Sequence, residues 1–298
     1  MPPSNPRIVS RTIEANGLRF AVDEAGDGRD VALCLHGFPE SRVAWRHQLP
    51  ALAEAGWRAI APDLRGYGQS DRPAGREAYH LKHLVADVAG LFDACDARRR
   101  LLIGHDWGGI IAWTFAMQQV RPLDGLVILN APHPAVMRRV LRQSWAQRGR
   151  SWYVAFFQLP WLPETLLTAR HAKRIETLLR RTAVDAGAFP DDVLKQYRDN
   201  ACQPGAMTAM INYYRANLRT LTDPNAAAPI IDTPTLLLWG EQDTALGVEL
   251  TEGCDAYVRD LTLERLPGVS HWVQHEASDD VNTRLLAWLE RTHVRRIV

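Results

Sequence analysis

The segment Gly104-His105-Asp106-Trp107-Gly108 stands directly between an apolar run, Leu101–Ile103, and a helical pattern over Ile110–Gln119. Where a strand turns at once into a helix, glycines two residues before and after the bend let the two backbones approach closely. The central side chain is pushed out above the sheet, with its carboxylate at a helix N-terminus. This strand–turn–helix unit is the strongest local constraint on the fold.

Other short apolar runs end in turn or motif residues in the same way: Val31–Leu35, Ala59–Ala61, Leu126–Leu129, Thr235–Trp239 and Leu261–Leu266. Runs of this kind predict parallel strands buried on both faces. Helical patterns lie between them, for example over Leu81–Cys95. The alternation predicts an α/β fold with a mostly parallel, doubly wound sheet. It fails between about His133 and Asp232, where helical segments follow one another without a strand. The expected division is therefore a core formed by residues 1–132 and 233–298, with residues 133–232 as an inserted helical cap. Within that insert Met207, Met210, Ile211, Tyr214, Leu218 and Leu221 recur at helical spacing and predict a buried stripe. Tyr214 lies on the stripe and Tyr213 off it.

The charge balance of 35 basic against 34 acidic residues leaves a net +1. That balance supplies no field for a polyanion or an anionic membrane, so neither nucleic acid nor membrane is an expected partner. Arg98-Arg99-Arg100, Arg138-Arg139 and Arg180-Arg181 are basic runs without interleaved aromatics and read as solvated faces. Cys34, Cys95, Cys202 and Cys254 are widely spaced and suggest neither a disulfide framework nor a metal site. No apolar leader or membrane-length run occurs, which makes the cytoplasm the expected location.

An Asp at the exposed point of the turn bears on the reaction class. A carboxylate displaces at saturated carbon, whereas a Ser alkoxide would attack a carbonyl. The same Asp106 could serve only as the cap of the following helix. Downstream, Trp239-Gly240-Glu241-Gln242-Asp243 and Gly268-Val269-Ser270-His271-Trp272 each follow a strand run, giving the chain order nucleophile, acid, histidine. Ligands of α/β sheets sit at strand C-terminal ends, so Asp106, Asp243 and His271 can converge there. After the first core strand, His36-Gly37-Phe38-Pro39-Glu40-Ser41 places the Phe38 N–H where it can join that of Trp107 in an oxyanion hole. Asp63-Leu64-Arg65-Gly66-Tyr67-Gly68-Gln69-Ser70 lacks the Lys of a phosphate cradle and reads as structural.

Together HGFPES, DLRGYGQS, GHDWGG, NAPHP, WGEQD and SHW resemble the epoxide hydrolases of the α/β-hydrolase fold over nearly the whole chain. The resemblance implies Asp106 as nucleophile and Asp243 with His271 as the hydrolytic pair. It also implies two cap tyrosines that hydrogen-bond the epoxide oxygen, Tyr153 in Tyr-Val-Ala-Phe-Phe-Gln and Tyr214 in Asn-Tyr-Tyr-Arg. The segment after Gln158, Leu-Pro-Trp-Leu-Pro, departs from the Gly-containing turn often found there. The implied substrates are a small hydrophobic epoxide and water, with no cofactor and with the chain as monomer or homodimer. A haloalkane dehalogenase shares the Asp nucleophile but needs a second halide donor, typically an Asn at the position of Phe38 or a cap Trp, and Phe38 has no donor side chain. A haloacid dehalogenase of the fluoroacetate type would want Arg in place of Trp107, to hold a carboxylate substrate. A non-catalytic ligand-binding protein of the same fold is the remaining alternative.

Overall fold

The computed structural model describes residues 6–223 and 225–292. Its strands are β1 (Val9–Ala15), β2 (Leu18–Ala25), β3 (Asp30–Leu35), β4 (Arg58–Pro62), β5 (Arg99–His105), β6 (Gly125–Leu129), β7 (Thr235–Gly240) and β8 (Leu261–Leu266). They form one sheet in the order β1-β2-β4-β3-β5-β6-β7-β8. The β1–β2 and β2–β4 pairs are antiparallel and the remainder parallel. The fold is the expected α/β-hydrolase type.

Helices α1 (Gln48–Glu54), α2 (Leu81–Ala94) and α3 (Trp107–Met117) alternate with the first strands. Along β3, Leu33 and Leu35 pack into one buried cluster while Ala32 and Cys34 pack into another. This two-residue period shows that both faces of the sheet are covered, which is why such strands read as continuous apolar runs. β8 departs from the expectation of burial on both faces: as an edge strand, only its last residue, Leu266, is buried.

Between β6 and β7 the described residues form helices only: α4 (Pro134–Gln143), α5 (Trp145–Arg150), α6 (Trp152–Phe156), α7 (Leu162–Thr182), α8 (Asp191–Cys202) and α9 (Ala206–Thr222). α7 is broken at Ala169–Ala172, where the backbone leaves helical angles. After β8 come α10 (Val273–Glu276) and α11 (Ser278–Arg291), the latter packing beside α1. Among the described residues no helix is long and apolar enough to cross a membrane.

Strand order fixes where a site can form. From β3 the chain runs to β4 on one side and later returns to β5 on the other, so β3 and β5 mark the reversal of winding. Leu35 pairs with Gly104, and the loops after these two strands therefore emerge side by side.

Candidate active site

Asp106 occupies the bend between β5 and α3 with φ 49° and ψ −117°, a left-handed backbone that a non-glycine residue adopts only when its surroundings impose it. The imposition comes from the flanking glycines. A Cβ on Gly108 would run into the Leu35 carbonyl, and one on Gly104 into the carbonyl of Gly108. The Asp106 side chain does not cap α3. Its Oδ1 instead accepts the Phe38 N–H at 2.9 Å, and its Oδ2 lies 3.8 Å from His271 Nε2.

The Phe38 amide is held in place by its neighbours. His36 Nδ1 donates to the Gly37 carbonyl at 2.9 Å while its Nε2 accepts the Leu64 N–H at 3.1 Å. Glu40 accepts the Gly37 N–H at 3.2 Å. The second amide expected beside Asp106 belongs to Trp107, the first residue of α3, where N–H groups have no partner within the helix.

Asp243 follows β7 and His271 follows β8, and the structure brings both beside Asp106. His271 Nδ1 donates to Asp243 Oδ2 at 2.5 Å. Asp243 is fully buried; its Oδ1 accepts the Ala245 and Leu246 N–H groups, each at 2.8 Å, and its Oδ2 also accepts Asn130 Nδ2 at 2.9 Å. Burial opposes its charge, but His271 and these donors hold its carboxyl below the usual range. Burial likewise opposes a charged His271, yet Asp243 chiefly, then Asp106 and Glu40, push it up to about 9.

Sequence reasoning did not assign roles to three further groups at this site. Asn130, at φ 38°, holds Asp243 and also accepts the Gly240 N–H at 2.8 Å, tying the end of β6 to that of β7. Glu40 and His105 are wholly buried. His105 Nδ1 lies 2.8 Å from a Glu40 carboxylate oxygen, and its Nε2 donates to the His271 carbonyl at 3.0 Å. Glu40 also accepts Gln274 at 2.9 Å and His275 at 2.8 Å; burial opposes its charge, but His105 chiefly, then His275, hold its carboxyl well below the usual range. All three residues lie within HGFPES, GHDWGG and NAPHP, so the signal was present without a role attached.

Tyr153 of α6 and Tyr214 of α9 line, with Asp106 and Trp107, a cavity of about 550 Å³ whose other walls include Met137 and Leu218. The two tyrosine rings meet edge to face at 6.0 Å. Tyr214 also packs edge-on to Trp107 at 5.0 Å and to Phe38 at 5.6 Å. Burial first, and the Asp106 charge second, raise both phenols far above the ordinary range. Tyr213, read from the sequence as lying off the buried stripe, is itself wholly buried and donates its hydroxyl to the Arg65 carbonyl at 2.8 Å. A wide apolar face on α9 accommodates both neighbours, one against the sheet's loops and one against the cavity.

A carboxylate with one oxygen held by an amide and the other facing a histidine–aspartate pair, under two phenols in an apolar cavity, can attack carbon and then be released by water. Comparison with known proteins gives the same direction. A family profile described as alpha/beta hydrolase fold matches residues 31–278. The chain is 38% identical to epoxide hydrolase 4 of Mus musculus, over 93% of this chain and 78% of that one. It is 32% identical to epoxide hydrolase A of Mycobacterium tuberculosis, over 96% and 99% of the two chains. The crystal structure of an epoxide hydrolase of Bacillus megaterium in complex with an inhibitor superposes with a TM-score of 0.87 at 29% identity, covering 94% of this chain and all of that one.

Proposed function

The chain belongs to the epoxide hydrolases of the α/β-hydrolase fold, and from that premise we propose that it converts an epoxide and water to a vicinal diol through an ester on Asp106. The observation that carries this reading is the unequal treatment of the two Asp106 oxygens, one bound by the Phe38 N–H and one facing His271. Oδ2 attacks an epoxide carbon, the carbon–oxygen bond of the ring breaks, and the departing alkoxide takes a proton from Tyr153 or Tyr214. Oδ1 becomes the ester carbonyl oxygen.

Protonation of His271 sets the order of the two steps. At about 9, the free enzyme holds an imidazolium at neutral pH, which cannot accept a proton from water. Ester formation removes the negative charge of Asp106, one of the causes that hold His271 up, and leaves a tyrosinate that is a strong base. The tyrosinate takes the proton that His271 loses. Neutral His271 then accepts a proton from water as the hydroxide adds to the ester carbonyl, with the Phe38 and Trp107 amides on the new oxyanion. Collapse expels the second alkoxide, which takes the proton of the regenerated Asp106 acid. The cycle ends with His271 charged and both tyrosines neutral, as it began. Residues 133–232 act in this scheme as the lid that supplies the phenols and excludes bulk water. The paired phenols favour an alkoxide leaving group over a halide, which needs no proton.

Mass spectrometry tests the covalent route. His271→Gln should accumulate the mass of the epoxide on the peptide containing Asp106, and Asp106→Ala should gain none. In a single turnover in heavy-oxygen water, label should enter the Asp106 carboxylate before it enters the diol. First-turnover diol that carries the label, with none in that peptide, would show that water attacks the epoxide directly.

A further inference from the structure

Of the chain's ten tryptophans, seven are buried, and the three that are not fall within seventeen residues of one another. Trp145 is 81% exposed, Trp152 66% and Trp161 70%, and Leu159 between them is 45% exposed. Scattered single apolar residues are ordinary on a protein surface, but three indole rings on neighbouring short segments are not. Each stands within three residues of a wall of the active-site cavity: Trp145 near Arg148, Trp152 beside Ser151, and Trp161 near Gln158.

The charge of the same region is one-sided. Between Asp124 and Glu164 the sequence has five arginines and no acidic residue. Arg150 is paired with Glu249, Arg138 is buried against the Ala226 carbonyl, and Arg139 reaches the Glu252 carbonyl. Arg142 and Arg148 are exposed and form no ion pair among the described residues. The Arg148 guanidinium lies 4.3 Å over the Trp145 ring while donating to the Leu141 and Arg142 carbonyls. A net charge of +1 averages this local excess away, which is why overall composition argues against a membrane partner.

We propose that the Trp145–Trp161 surface docks this enzyme peripherally on an anionic lipid bilayer, with the cavity mouth turned toward the lipid. Indole rings settle at the boundary between headgroups and acyl chains, and arginines beside them bury their stems while meeting lipid phosphates. A second copy of the chain is the competing occupant, but a two-fold contact would bring together two patches that each carry the unpaired Arg142 and Arg148, like charge facing like. Anionic lipid complements them. Apolar epoxides concentrate in bilayers, and docking would bring them against the segment that lines the cavity with Arg148 and Ala155.

Co-sedimentation of the full chain with vesicles of pure phosphatidylcholine, and of an equimolar mixture with phosphatidylglycerol, tests the proposal. The chain should bind the mixed vesicles preferentially, and rising salt should release it. The triple variant Trp145→Ser, Trp152→Ser, Trp161→Ser should bind them about tenfold more weakly or less. The same variant should turn over a water-soluble epoxide at the parent rate without vesicles, which shows that it is folded and that its cavity is intact. Three results would overturn the proposal: no preference for the anionic vesicles, undiminished binding by the folded triple variant, or a parent dimer in sedimentation equilibrium that the three substitutions dissociate.

Discussion

Asp243 delivers a full charge to His271 at 2.5 Å, and this one contact sets the pH behaviour of both activity and stability. His271 is raised from an ordinary 6.5 to about 9, so its pairing stabilises the folded chain fully below 6.5 and is lost as pH rises through about 9. Asp243 is lowered from an ordinary 3.8, so its share is present above that value and is lost as pH falls through the lower, folded one. The proposed ester hydrolysis runs the other way, because in that scheme it needs His271 neutral. Its rate, followed as decay of the preformed ester in single turnovers, should rise with pH and reach half its plateau below the free-enzyme value of about 9, since the ester no longer carries the Asp106 charge. A rate that is flat from about pH 6 to about pH 9 would remove His271 from the role of base.

At the scale of elements, the tightest fit is that of β5 and α3 against the end of β3. Gly108→Ala places a Cβ in the Leu35 carbonyl and should lower stability by about 1–3 kcal/mol or more. Gly149→Ala in α5 meets nothing within 4 Å and should be neutral or stabilising by about 0.5–1 kcal/mol. Urea denaturation of the two variants separates close approach from a general dislike of side chains at glycine positions; equal midpoints would refute it. The bend was legible because its chemistry is local. The β1–β2 hairpin was not found by apolar runs, since only Ile13 and Ala15 of β1 are buried. Its turn, Asn16-Gly17 with φ 48° and 72°, carries a hairpin signal that period counting overlooks. Asn130 escaped for a different reason. Nothing local tells an asparagine at the end of β6 that Asp243, 113 residues away, will need a donor. Tyr213 was misplaced because a stripe drawn from aliphatic spacing is narrower than the face α9 actually buries, and Tyr79 and Tyr67 fill the extra width.

Across the whole molecule, the proposed reaction depends on two layers meeting: Asp106, Asp243 and His271 stand on strand ends, and Tyr153 and Tyr214 descend from the helices between β6 and β7. Tyr153→Phe or Tyr214→Phe should slow alkylation about tenfold to a hundredfold with ester hydrolysis little changed, and the double variant should lose about 10²-fold or more. Stopped-flow tryptophan fluorescence under single-turnover conditions separates the two steps, and full alkylation rates in both single variants would disqualify the phenols as donors. The same arrangement bears on how the chain is made. Leu129, the last residue of β6, leaves the ribosome 106 residues before Thr235 opens β7 (235 − 129 = 106). At common elongation rates that interval lasts about 5–20 s, during which β6 presents a bare edge of unpaired amides and carbonyls. The nascent chain is thus sticky before it can be an enzyme, and a translational pause while α4–α9 are synthesised would lengthen the time in which that edge can pair with a neighbouring nascent chain.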